Sequence, residues 1–149
     1  MARAPIVVGT DGSDRAERAV DRAGELAKWL GVKVHIVSGY GEDGPLIAPA
    51  GRGVPGPQVR EQGNQRTRAQ HYVDRAQQRL AQVGVESETH VWPGDPAEAL
   101  LQLADEHDAQ MIIVGNRGMT GARRVLGSVP NHVSHHAHCD VVIVATLTA

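Results

Sequence analysis

The chain has 149 residues, 41% of them apolar and 21% charged, with a formal net charge of -2, which fits one domain with a real core and excludes a global pull toward nucleic acid or anionic membrane. Trp29, Trp92, Tyr40 and Tyr72 are the only aromatics and Phe is absent, so there is no base-stacking platform for single strands. The lone Cys139 excludes an intrachain disulfide and suits a reducing cytoplasm; Met1 to Pro5 lead directly into a strand-like run, so no secretory signal is expected, and no apolar run approaches the roughly 20 residues that span a bilayer.

Apolar runs alternate with helical patterns along the chain, the pattern of βαβ units around a parallel sheet. Ile6-Val7-Val8 is the first predicted strand, ended by Gly9-Thr10-Asp11-Gly12. Ser13 is placed to cap the helix that follows, with Asp14 and Glu17 in its first turn. Ala16, Ala19, Val20, Ala23, Ala27 and Leu30 form one apolar stripe, and Gly31 stops it. Val32 to Ser38 form the second predicted strand. Gly39 to Pro57 are rich in glycine and proline and read as irregular, and a helix is expected from about Arg60 to Gln82. Glu86 to Trp92 alternate as an edge strand does.

Asp95-Pro96-Ala97-Glu98 marks a helix start, with Asp95 as cap, Pro96 in the first turn and Glu98 able to close a capping box. Leu100, Leu101 and Ala104 face inward from that helix. Met111 to Val114 and Val141 to Ala145 are fully apolar and read as central strands.

Between these last two lies Val114-Gly115-Asn116-Arg117-Gly118-Met119-Thr120-Gly121-Ala122-Arg123-Arg124-Val125-Leu126-Gly127-Ser128-Val129-Pro130. It leaves the carboxyl end of a strand, where open α/β sheets bind ligands. Glycines there admit close backbone approach and a nest of N–H groups for an anion. Ser128 reads as the cap of the next helix, with Pro130 tolerated in its first turn; such a helix start adds donors and about half a positive charge, which suits phosphate. The segment is not a P-loop, having no lysine, and Gly9 to Gly12 do not fit the Rossmann fingerprint.

The segment resembles the glycine signature of the ATP-binding branch of the universal stress protein family: Gly, two residues, Gly, nine residues, Gly, then Ser or Thr. Gly115 and Gly118 match the first pair and Gly127-Ser128 the end, with residues 119–126 one short of the family spacing. Val8-Gly9-Thr10-Asp11-Gly12-Ser13 is similar to the family's opening motif, and Asp95-Pro96-Ala97 and Val129 to Val144 are similar in kind. The resemblance covers nearly all of residues 1–149, least over Gly39 to Arg60. It implies a single doubly wound α/β domain, a five-stranded parallel sheet in the order 3-2-1-4-5 with about four helices, and a homodimer through the last strand. It implies ATP as ligand, with magnesium or without, or cyclic AMP as in some relatives. Gly9, Thr10 and Asp11 would lie near adenine and ribose, with Ile36 against adenine. Val114, Gly115, Asn116, Arg117, Gly118, Met119, Gly127, Ser128 and Val129 would hold ribose and phosphates.

Other readings compete at single residues. Asp11 orients its turn, contacts ligand, or does both. Arg117 lies inside the glycine loop, within reach of a phosphate, whereas Arg123 and Arg124 fit a solvated face as well. His132, His135, His136 and His138 place two ligands on one helix face, yet the sequence offers no third, so surface histidines are expected there rather than a metal site. Cys139 reads as a small buried hydrophobe. No phosphoryl-transfer base and no nucleophile elbow stand out. A binding module therefore leads, with slow hydrolysis secondary and an interaction protein with a vestigial nucleotide site as the alternative.

Overall fold

The computed structural model describes residues 3–41, 57–116 and 127–145, and side chains throughout except over 57–63. Five strands and four helices alternate: β1 (Ile6–Gly9), α1 (Asp14–Leu30), β2 (Val34–Tyr40), α2 (Pro57–Gln82), β3 (Ser87–Pro93), α3 (Pro96–Glu106), β4 (Met111–Gly115), α4 (Ser128–His136) and β5 (Asp140–Val144). The strands form one parallel sheet in the order β3-β2-β1-β4-β5. β1 is at its centre, with both faces covered and Ile6, Val7 and Val8 fully buried.

Period-two alternation sends neighbouring residues to opposite layers. Ile6, Val8, Val34, Ile36 and Ile113 pack with Ala19, Val20, Ala23 and Ala27 of α1 and Val73, Ala76 and Leu80 of α2. Val7, Val37, Ile112 and Val114 pack with Ala97, Leu100 and Leu103 of α3 and Val133 of α4.

The local signals act largely as read. Ser13 caps α1, its Oγ accepting from Ala16 N at 3.1 Å, and Gly31 ends the helix with φ 69°. Asp95 caps α3, its Oδ1 accepting from Ala97 N at 2.9 Å. The capping box does not close, because Glu98 instead meets His132, Oε1 to Nε2 at 2.9 Å. Asp95→Ala is therefore expected to cost about 1 kcal/mol, the usual worth of such a cap, and a urea titration against Glu98→Gln separates the cap from the ion pair.

Four expectations are corrected. β2 starts later than Val32 and continues through Gly39 and Tyr40, because β3 runs beside it far enough to pair Gly39 with Trp92 and Tyr40 with Pro93. α2 begins at Pro57, earlier than expected, since proline is at home in a first turn. β5 spans Asp140–Val144 and, against the reading of its composition, lies at the edge that the order 3-2-1-4-5 implies, with Ile143 37% exposed. Gly127, not Ser128, is the N-cap of α4, with no side-chain cap bond.

Candidate functional site

The strand order reverses direction at β1: its chain leads to β2 on one side, and β4 lies on the other. At such a switch point the connections diverge and leave a crevice at the carboxyl ends of the strands. The crevice here is walled by Gly9, Thr10 and Asp11 after β1, Val114 and Gly115 of β4, and Val129 and Pro130 of α4. Val37, Pro96 and Leu100 form its apolar floor and side, and Ser13, Arg15 and Ala16 its rim.

The turn after β1 is built by its own side chains. Thr10 Oγ1 accepts from Gly12 N at 3.2 Å, and Asp11 Oδ1 accepts from both Ser13 N, at 3.0 Å, and Ser13 Oγ. Asp11 thus fixes the turn and walls the crevice at once. Across the crevice, α4 opens at Ser128, and its first intrahelical bond is Asn131 N to Gly127 O at 3.1 Å. The earlier N–H groups of any helix have no partner within it, and they carry the positive end of the helix dipole.

Six of the thirteen residues singled out by resemblance share the crevice: Gly9, Thr10, Asp11, Val114, Gly115 and Val129. Gly127 and Ser128 stand at the adjoining helix start. Asn116 is buried beside them, its N–H donating to Val144 O at 3.0 Å. Arg117, Gly118 and Met119 lie outside the described residues, as do Arg123 and Arg124. Ile36 does not reach the crevice. It is fully buried on the α1 and α2 face, and the next residue, Val37, takes the crevice position. Val34-His35-Ile36-Val37 offers apolar groups to both faces, so no polar alternation in the sequence distinguishes the two.

The histidines of α4 behave as surface groups. His132 stacks on His136 with centroids 4.4 Å apart, and His138 Nδ1 meets Asp105 Oδ1 at 3.2 Å. Cys139 is half-buried; burial, then the Asp140 and Asp105 charges, push its thiol upward, away from nucleophile chemistry.

A different trio meets through the tertiary structure. His35 of β2, His90 of β3 and His107 just past α3 bring one ring nitrogen each to within 4.8 Å of one another. His35 is 0% exposed, and its Nδ1 lies 2.9 Å from His90 Nε2 and 3.3 Å from Glu88 Oε2. Burial, helped by His107, lowers its pKa from 6.5 to about 4. Burial and His107 lower that of His90 as well. The three rings come from positions 35, 90 and 107 with no shared spacing; the one sequence signal is a histidine inside the apolar run Val34 to Val37.

These features define a class: a doubly wound parallel α/β domain with a switch-point crevice bounded by a helix N-terminus. Residues 3–145 match the family model described as the universal stress protein family, and the chain belongs to that family. It is 36% identical over 147 residues to universal stress protein Rv1636 of Mycobacterium tuberculosis, covering 95% of each chain. It is similar to the crystal structure of a universal stress protein in complex with cAMP, at 34% identity and a TM-score of 0.75 over 99% of this chain and 100% of that one. It is also similar to the universal stress protein from Archaeoglobus fulgidus in complex with dAMP, at 29% identity and a TM-score of 0.68, over 96% and 98% of the two chains.

Proposed function

We propose that this chain binds an adenine nucleotide in the switch-point crevice and acts as a nucleotide-dependent sensor or regulator in a stress response. The observation that carries the reading is the crevice itself. The ends of the neighbouring strands β1 and β4 line the crevice together with apolar Val37 and Leu100, with the start of α4 beside them. A flat apolar base suits the floor, and a phosphate suits the N–H groups and dipole of α4.

In this reading Val37 takes the adenine contact in place of Ile36, and Asp11 accepts from a ribose hydroxyl or holds magnesium through water. Gly115, Gly118, Gly127 and Ser128 cradle phosphate. ATP is the ligand that the glycine signature favours. Cyclic AMP is the second reading, favoured by the cAMP complex among the similar structures; the shorter span between Gly118 and Gly127 is what keeps an interaction protein with a vestigial nucleotide site as the alternative. A second copy would pair along the exposed edge of β5. Among the described residues that line the crevice Asp11 is the one carboxylate, and Ser13 N–H and Oγ–H already donate to it, so the role is read as binding, with hydrolysis at most slow.

The test is thermal stability with ATP, ADP, cyclic AMP or adenosine plus magnesium, for the wild type and Ser128→Glu. Ligand at about 100 times its dissociation constant stabilises by roughly 2.7 kcal/mol. An acid in the first turn favours the helix by about 0.3–1 kcal/mol and repels an anion at the same place. The variant is therefore expected to fold at least as well and to lose at least about tenfold in affinity for phosphate-bearing ligands while adenosine changes little. No shift with any nucleotide, or equal shifts in both proteins, overturns the reading.

A further inference from the structure

The crevice uses Pro96 and Leu100 near the start of α3; the other end of that helix carries a second constellation. His107 caps it, and beneath lie His35 and His90 on adjacent strands. From these three residues we infer a binding site for a divalent d-block cation of the zinc type, separate from the nucleotide crevice.

Neutral imidazoles are the ligands that zinc, nickel and copper ions choose over magnesium and calcium, which want oxygen. Three protein ligands and one open position make up a zinc site of the open kind, with zinc–nitrogen distances of about 2.0–2.1 Å; in a tetrahedron that sets neighbouring nitrogens about 3.3 Å apart. His35 Nδ1 and His90 Nε2 are 2.9 Å apart, and no pair in the trio exceeds 4.8 Å. Small ring rotations close that difference.

A second observation points the same way. His35 is completely buried, yet among the described residues its Nε2 has no hydrogen-bond partner. A buried polar atom left so is costly and rare; the ring accepts that cost at Nε2 while turning Nδ1 into the cluster, where an ion would bind. The surroundings favour a cation. The carbonyl end of α3 lies at His107, where the helix dipole is negative. Glu88 Oε2 lies 3.3 Å from His35 Nδ1 and also accepts from Lys33 Nζ at 3.2 Å. Held by Lys33 at the rim, Glu88 places a carboxylate charge beside the ligating Nδ1, which favours a cation there.

One ring must move. His107 lies nearly flat on His35, centroids 3.9 Å apart and planes at 18°, so the in-plane lone pairs of both rings cannot meet at one ion. His107 is exposed at the helix end and free of a packed core on its outer side. Turning it off the stack brings its nitrogen to the ion, and the stacked form is the metal-free state.

Cobalt(II) is the probe, because its visible bands report tetrahedral nitrogen ligation directly, and zinc(II) then competes for the same place. The full chain is expected to take up one equivalent of cobalt with visible bands, displaced by one equivalent of zinc. His107→Ala changes an exposed residue and His90→Gln a half-buried one; each is expected to weaken zinc by more than the roughly 10–100-fold that an outer partner is worth. The double variant His132→Ala/His136→Ala, on α4, is expected to bind as the wild type does. Circular dichroism checks each fold, and His107→Ala decides the matter by itself if His90→Gln is unstable. No stoichiometric uptake, uptake unchanged in His107→Ala, or uptake lost with the α4 pair overturns the site. Nucleotide-induced stabilisation, measured with chelator present, is independent of every one of these outcomes.

Discussion

Gly12→Ala is expected to destabilise the protein by about 3 kcal/mol, because two independent costs fall on one atom. Gly12 has φ 78°, and a Cβ built there would lie 2.3 Å from Cδ1 and 2.4 Å from Cε1 of Tyr72. The left-handed conformation costs an alanine about 1–2 kcal/mol. Overpacking against a ring adds typically about 1–3 kcal/mol. Tyr72 comes from α2, so this contact ties the turn after β1 to the second helix, and a push on the ring reaches both. A double-mutant cycle with Tyr72→Ala separates the two costs. The clash disappears in the Tyr72→Ala background and the conformational cost stays, so Gly12→Ala is expected to cost about half as much there. Urea titration reads both. An equal cost in the two backgrounds would show that the ring is not what the glycine accommodates. The turn is also the crevice wall, so Gly12→Ala in the folded fraction is expected to weaken nucleotide as well.

The second large effect is a pH dependence centred on His35 in metal-free protein, measured with chelator present. Its pKa falls from 6.5 in the unfolded chain to about 4 in the fold. Between those values the unfolded chain holds a proton that the fold excludes, so stability drops as the pH falls from 6.5 toward 4 and levels off below. The full effect is about 3 kcal/mol, since each tenfold loss of proton affinity is worth about 1.36 kcal/mol. The groups facing the ring are His90 and Glu88 on β3, Lys33 ahead of β2 and His107 after α3, with Glu106 nearby acting on His90. Glu88 alone favours the charged ring; burial and the other three oppose it. The pKa of His90 moves in the same direction and adds to the slope. His35→Gln removes the group, and its stability is expected to change less across this range. Parallel curves for the two proteins would refute the assignment. Carboxylates titrate in the same interval in both proteins, so the difference between the curves carries the answer.

The turn after β1, the two caps at Ser13 and Asp95, and the order of strand and helix are legible in the sequence because each rests on a few neighbouring residues. Their chemistry is local: a side-chain oxygen reaches an N–H two or three residues on, whatever the rest of the chain does. Six of the crevice residues, Gly9, Thr10, Asp11, Val114, Gly115 and Val129, are legible too, through the family resemblance of the segments that end β1 and follow β4. Ile36 stands in for Val37 in the sequence reading because both faces of β2 are buried, and the polar residue of Val34 to Val37, His35, is itself buried and marks no solvent side. β5 reads as central from composition alone, being as apolar as β4. The rank of a strand in a sheet is set by pairing partners, which its own residues do not encode. The cap at α4 falls on Gly127 because the helix includes Ser128 as its first residue, and helix ends fray by a residue or two.

The sequence by itself determined the alternation of elements, the starts of α1 and α3, the glycine segment after β4 and, through these, membership of a family of doubly wound domains. Only the tertiary structure decided which of two adjacent residues on β2 meets the crevice and which histidines belong together. The physical reason is range. Capping bonds and turns act over two to four residues and are written in consecutive letters. His35, His90 and His107 are brought together by the parallel register of β2 with β3 and by the return of α3 across them. That meeting belongs to the packed sheet and to no stretch of the chain.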